Sequence, residues 1–386
     1  MIDNQRLSCS RVSPLRRYPA FRLSTLRDAV RRRQGVARAN LLLPLLMGTV
    51  LLGGAMLDHT LVLSGHGVGL LQHPTIWAFL FAQGLLPFTA ERAHRVFQTL
   101  PRWAAGVLSR EDGQESFRAR SEGLERHLGR ETNASRALYI VLILLGFLCV
   151  AWNSIQNQRP LEFLGFDFWD SSNHAWGYWL SRVAKTYLWM LFFPAIIHCQ
   201  AGILLAASGV IRDAAQRGVL RVQLFHSDGC GGFRGLIQMV LGSLSPFLLV
   251  ATLLALGTFA VNGKLDVTTV GGLLLAVAVF LVLYAIPAAR LRQAIRKAKG
   301  HRRDEISRAQ DMWFSVLLAS TMATQAQKDA ASLIDSLGLL SARVAAVPDW
   351  PQGRTVVRLV GLAMGSPLLT AAIKALLAKY VPPALP

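Results

Sequence analysis

Charge is what this chain lacks. Only 16% of its 386 residues are Asp, Glu, Lys or Arg, against about 25% in soluble domains. Hydrophobic residues make up 52%, and the mean hydropathy is +0.37. With apolar runs of about 20 residues, this composition excludes a disordered chain and an ordinary soluble enzyme. Cysteine is scarce too. Cys9, Cys149, Cys199 and Cys230 are isolated, with no C-x-x-C and no Cys/His set at metal-ligand spacing. Neither a disulfide framework nor a zinc site is expected. The apolar runs contain no Asp or Glu, which disfavours carboxylate-based proton or sodium coupling inside a bilayer. No Walker loop, no transporter, protease or ATPase signature and no cofactor motif is present, so no catalytic residue is assigned.

What the chain does hold is basic charge. There are 41 Lys and Arg against 22 Asp and Glu, a formal net charge of +19. In a soluble domain that would suggest nucleic acid. Here no segment interleaves basic and aromatic residues as a base-stacking platform would. The fitting partner is a bilayer with anionic headgroups.

The expected fold is therefore an all-α polytopic membrane protein with six spans, at 40–57, 74–90, 137–155, 183–210, 237–261 and 267–289. The span at 74–90 is the weakest, because Gln83, Gly84 and Pro87 interrupt it. This layout puts 37 of the 41 basic residues on one side, which makes that side cytoplasmic, with both termini on it. The expected divisions are a basic segment 1–39, a first hairpin 40–90, a cytoplasmic helical segment 91–136, a four-span region 137–289, a cytoplasmic long helix 290–354, and an interfacial or re-entrant segment 355–386. The Arg-rich start precedes an apolar run without a small-residue cleavage site, so that run reads as a retained anchor.

The outer loops have their own chemistry. Residues 156–182 are rich in Trp, Phe and Tyr, the residues of a headgroup-level helix or flap. His59, His66 and His73 recur every seven residues, but Gly65, Gly67 and Gly69 break a helix there, which argues against a metal-binding face. On the cytoplasmic side, residues 304–347 hold no proline. Apolar or small residues fall at Met312, Val316, Ala319, Ala323, Ala326, Ala330, Leu333, Leu337, Leu340, Val344 and Val347, a coiled-coil-like a/d seam. Phe117, Ser121, Leu124 and Leu128 repeat that spacing, so the expected arrangement pairs 91–136 with 304–347 beneath the membrane, with a homo-oligomeric coiled coil as the alternative.

Candidate functional residues fall in two places. His198 and Gln200 are placed near the midplane of the fourth span, with Gln83 of the second span as a partner; a buried polar tie and a gating site are both open readings. The second place is the glycine-rich loop 225–236, with His226, Asp228, Gly231, Gly232 and Arg234. Its backbone N–H groups could cradle an anion beside Arg234, or Asp228 could cap the helix that follows. This loop resembles the H-P-D-x-x-G-G-L-G-F-L signature of an uncharacterised family of bacterial polytopic membrane proteins. His226, Asp228, Gly231 and Gly232 match, Gly235 is a further candidate, Ser227 replaces the proline, and Phe233-Arg234 departs from the Leu-Gly pair. Trp350-Pro351 is similar to that family's C-terminal pattern. The resemblance implies a multi-pass protein of a bacterial inner membrane and carries no activity with it. The expected function is a channel, pore or membrane-acting effector, oligomeric. The alternative is a scaffold or accessory subunit that recruits a cytoplasmic protein, and a lipid-acting enzyme stands last.

Overall fold

The computed structural model describes residues 14–21, 36–63, 67–103, 112–156, 170, 173–216, 233–262, 267–319, 325–347, 355–363 and 365. Every element in it is helical. Two 3-10 turns, Pro14–Arg17 and Pro19–Phe21, precede α1 (Val36–Leu57), α2 (Pro74–Trp103), α3 (Asp112–Leu128) and α4 (Asn133–Gln156). Then come α5 (Ala175–Thr186), a π-helical turn (Tyr187–Phe192) and α6 (Phe193–Gln216), which form one unbroken rod. The bundle is completed by α7 (Arg234–Asn262), α8 (Val267–Ala319) and α9 (Gln325–Ala346), and residues 355–363 are again helical.

Among the described residues, four stretches are long and apolar enough to cross a membrane: Asn133–Ala151, Ala175–Asp213, Arg234–Gly257 and Ala276–Leu318. Leu41–Leu57 is apolar but shorter. The expected span at 74–90 lies in α2, whose buried face carries Gln83, Glu91 and His94 among its alanines and so has a lower hydropathy.

Burial separates the helices that face lipid from the one that faces protein. Only 17% of the α4 stretch is buried, and it exposes Ile140, Val141, Leu144, Leu145, Phe147 and Leu148. The α5–α6 stretch is 72% buried. On α6, Ala195, Ile196, His198, Cys199, Ile203 and Ala207 are fully enclosed. The helix is wrapped by α2, α3, α4 and α8, with the N-terminal turn against it.

Small residues set the approach distances. The row Ala78, Ala82, Ala90 and Ala93 lets α2 lie close along α7, antiparallel, with Thr75 of α2 against Gly257 of α7. A Cβ on Gly257 would sit 3.1 Å from the Thr75 nitrogen. The π turn widens the rod and pushes the Trp189 carbonyl onto Gly146 of α4, where a Cβ would meet that oxygen at 2.0 Å.

The rod contains the expected fourth span at 183–210 and extends beyond it at both ends. It begins at Ala175, not at 183, and its apolar stretch of 39 residues is about 58 Å long at about 1.5 Å per residue. That is nearly twice a hydrocarbon core of about 30 Å. The rod's most apolar window is 72% buried inside the protein, so packing against other helices accounts for much of its apolar surface.

The seam over 304–347 is corrected. It belongs to two helices that fold back on each other: α8 ends at Ala319, α9 starts at Gln325, and the residues between lie outside those described. Lys299 of α8 donates to the carbonyls of Val347 and Ala345, which fixes the hairpin antiparallel. Ala330 and Val344 are buried in it, Leu337 and Leu340 are half-buried, and Met312, Val316 and Leu333 are exposed. The expected pairing of 91–136 with 304–347 gives way to two others, α3 on α6 and α9 on α8. The C-terminal segment begins against the core, where Val356 and Ala363 are buried.

Because the Gly146 contact is with backbone, no rotamer change can relieve a side chain there. Gly146→Val is expected to destabilise the protein by on the order of 3 kcal/mol, read as a large drop in melting temperature in detergent, whereas Gly53→Val, with nothing within 4 Å of its Cβ position, should melt within a few degrees of wild type.

Candidate functional site

The chain folds a polar knot around His198 at the end of the bundle that carries Arg17, Arg130 and Arg136. It is built from α3 downward. At the C-terminus of α3, Gly129, Arg130 and Glu131 donate N–H bonds back to Glu125, His127 and Arg126. Arg130 closes this turn in the left-handed region at φ 57°, a conformation that costs a non-glycine residue about 1 kcal/mol or more. The turn swings the Arg130 guanidinium over the Tyr139 ring at 4.9 Å and the Tyr18 ring at 5.4 Å. Its Nη2 also donates to the Arg17 carbonyl at 2.8 Å. Thr132 then starts α4, accepting from the Ser135 N–H at 3.2 Å.

His198 sits inside this frame, fully buried. Its Nε2 lies 3.1 Å from the Ser135 carbonyl and 3.0 Å from Ser135 Oγ, and its Nδ1 lies 2.7 Å from Tyr18 Oη. A carbonyl can only accept, so Nε2 carries the proton. Nδ1 is then the acceptor, and Tyr18 donates to it. The ring is neutral and both nitrogens are satisfied. His127 stacks on it, with centroids 4.2 Å apart and planes 13° apart, and donates from Nε2 to the His198 carbonyl at 3.3 Å. Burial pushes the Tyr18 phenol up and holds His127 below its ordinary range.

Two flanking ties seat the knot. Arg17 forms an ion pair with Glu125 and donates to its carbonyl. His94 of α2, 3.9 Å from Glu125, holds that carboxyl below its usual range, with Arg17 adding to the effect. Farther along, Arg120 grips Asp213 with a two-pronged bond of 2.7 and 2.8 Å. Two glycines make room for α3. A Cβ on Gly202 would come 2.5 Å from the His127 ring, and one on Gly209 would come 2.8 Å from Arg120.

Ser135 and His198 together do not make an activated serine. The Ser135 hydroxyl donates to the His127 carbonyl at 2.7 Å and is buried, and Nδ1 faces a phenol where such a pair would have a carboxylate. The arrangement is a clamp. It fastens the N-terminal turn, α3 and α4 to α6.

The sequence-derived candidates separate. His198 is the centre of the knot, beside Ser135 at the start of α4 and about 35 Å along the rod from Ala175. Gln83 and Gln200 are buried, and among the described residues neither amide has a hydrogen-bond partner, so neither partners His198. Nor do they meet each other. Phe97 packs on Phe117 and His94 faces Glu125, so α2 runs antiparallel to α3 and parallel to α6. Glu91 lies within electrostatic reach of Cys199, which puts Gln83 about 12 Å along the axis from the level of Gln200. His226, Asp228, Gly231 and Gly232 lie outside the described residues. Arg234 is the exposed first residue of α7. His59 sits in the turn after α1 with φ 56°, and His73 bonds Thr75 Oγ1; His66 is outside the described residues.

Tyr18, His127, Arg130, Ser135, Gly202 and Gly209 were not singled out from sequence. The seven-residue interval between the two glycines, with Asp213 one turn on, was a usable signal for a helix lying across α6.

His127 has a folded-state pKa below the ordinary 6.5, so the unfolded chain binds the extra proton. Its contribution is fully present above about pH 6.5 and is lost as pH falls through the folded value. The melting temperature in detergent should therefore fall between pH 7.5 and 5, and the fall should shrink in His127→Gln. An identical slope in that variant would place the pH dependence elsewhere. No family model, no curated protein and no solved structure matches this chain.

Proposed function

We propose that this protein is a six-span membrane scaffold of a bacterial inner membrane, which presents the α8–α9 hairpin as a docking arm on the cytoplasmic side. One observation carries the reading. α8 continues past the basic run from Arg290 to Arg303 and, with α9, exposes large apolar side chains well beyond it: Met312, Phe314, Leu318, Leu333 and Leu339. Leu318 is 83% exposed and Leu339 67%, a density of apolar surface that marks a binding face in water.

The span count is supported by pairing. α2 lies along α7, which is apolar enough to cross, so 75–92 shares its layer. α1 packs on α2 and α5. The basic asymmetry makes the end with Arg17, Arg130 and Arg136 cytoplasmic, and the Trp176 and Trp179 side chains exposed near the start of α5 fit the opposite headgroup level. A conducting path within one chain has less support, because α6 fills the middle of the bundle with enclosed side chains.

Orientation is checked by single cysteines on a cysteine-free background. Asn173→Cys should react with an impermeant maleimide in intact cells, and Glu122→Cys only after permeabilisation; the reverse pattern would invert the protein. Docking is checked by changing Phe314, Leu318 and Leu339 together to Ser. The variant should insert and melt like wild type while the complex extracted in mild detergent loses mass. An undiminished complex would remove the arm as the docking face.

A further inference from the structure

Resting on that reading, we infer that the arm's occupant is the arm of a second copy, two α8–α9 hairpins closing into a four-helix bundle. The first argument is charge. From 304 to 346 the chain has five acidic residues (Asp304, Glu305, Asp311, Asp329, Asp335) and three basic ones (Arg308, Lys328, Arg343), in a protein whose formal net charge is +19. Two copies in one membrane present the same strongly basic face to each other and repel over roughly a Debye length of 8 Å. The arm is the stretch of that face where the charges are mixed and nearly balanced, five acidic against three basic, so it is where a second copy can approach with the least of that penalty. The same sign excludes a bilayer as occupant, because anionic headgroups repel a net acidic segment. A strongly acidic protein would settle on the basic face, not here.

The second argument is periodicity. Met312 and Leu333 belong to the a/d rows of their helices and point outward, while Ala330 and Val344 of the same seam are enclosed by the hairpin itself. An a/d row with outward members is a set of knobs whose holes are supplied by other helices. Because the hairpins are identical, the simplest closed solution is a two-fold interface in which the same patch serves both copies. The third argument is Gly338, which has nothing within 4 Å of its Cβ position. A mid-helix glycine is unfavourable relative to alanine, and among the described residues none packs into the space it leaves. Next to exposed Leu339, it lets a second helix approach closely.

The test uses the purified full chain in detergent, with no other protein present. Its mass, by light scattering with the detergent contribution subtracted, should be that of a dimer. Leu339→Cys on the cysteine-free background should oxidise to a disulfide-linked dimer in isolated membranes. Leu318→Glu and Leu339→Glu, both at exposed positions, should keep the wild-type melting temperature and weaken the dimer at least tenfold. Leu339→Glu mixed with Leu339→Lys should recover it. If either Glu variant fails to fold, Leu318→Ser and Leu339→Ser, which add no charge, take its place with the same expected loss of dimer. A monomer at every concentration overturns the inference. If membrane extracts then still hold a larger complex that the triple Ser variant loses, the scaffold reading survives with a different partner; if they hold none, both fall. A dimer untouched by the Glu or Ser variants also overturns the inference, since its contact would lie elsewhere.

Discussion

The basic end of this protein depends on one neutral imidazole. His198 is carried by a helix that is enclosed on nearly every side, and a buried polar ring without partners would cost several kcal/mol. Its two nitrogens ask for one acceptor and one donor in fixed directions. The Ser135 carbonyl provides the first and the Tyr18 hydroxyl the second. Satisfying the ring therefore dictates where α4 begins and obliges the N-terminal turn to insert Tyr18. The stacked His127 then sets how far α3 slides along α6, and Gly202 is small because that ring lies on it. A single requirement of hydrogen bonding fixes four segments far apart in sequence.

The elements themselves were legible in the sequence. Helices α1, α4, α7 and the first half of α8 follow the apolar runs to within a few residues, because a run of that length with no charge permits little else. The surroundings of the helices were not legible. Hydropathy reports that a side chain avoids water and says nothing of whether lipid or protein replaces it. That is why the burial of α6, and with it the enclosure of His198, could not be read from the apolar run. The π turn compounded this, since no residue type announces it. Tyr18 was hidden for another reason: residues 14–21 are too short to show any period.

The heptad pattern was misread in an instructive way. An unbroken a/d row describes a face, and a face can be folded back on itself. Alanines at 319, 323 and 326 suit a long helix and a tight return equally well, so spacing alone cannot choose between them. Burial can choose: Ala330 and Val344 are enclosed, and Met312 and Leu333 are not. The hairpin uses part of the seam internally and leaves the rest outward.

Charge then orders the two halves of α8. On the proposed topology its seven basic residues from Arg290 to Arg303 lie where an apolar span leaves the bilayer, and anionic headgroups hold such a run at their own level. The segment beyond carries five acidic residues against three basic ones and is pushed the other way. One helix thus has a base drawn to the membrane and a tip turned from it, with a span of about 24 Å between Arg303 and Ala319 at about 1.5 Å per residue. On the proposed topology, an arm held in this manner could not hide Phe314 and Leu318 in lipid. Their exposure to water would then follow from the charge pattern, and removing it would require another protein surface at that height above the membrane.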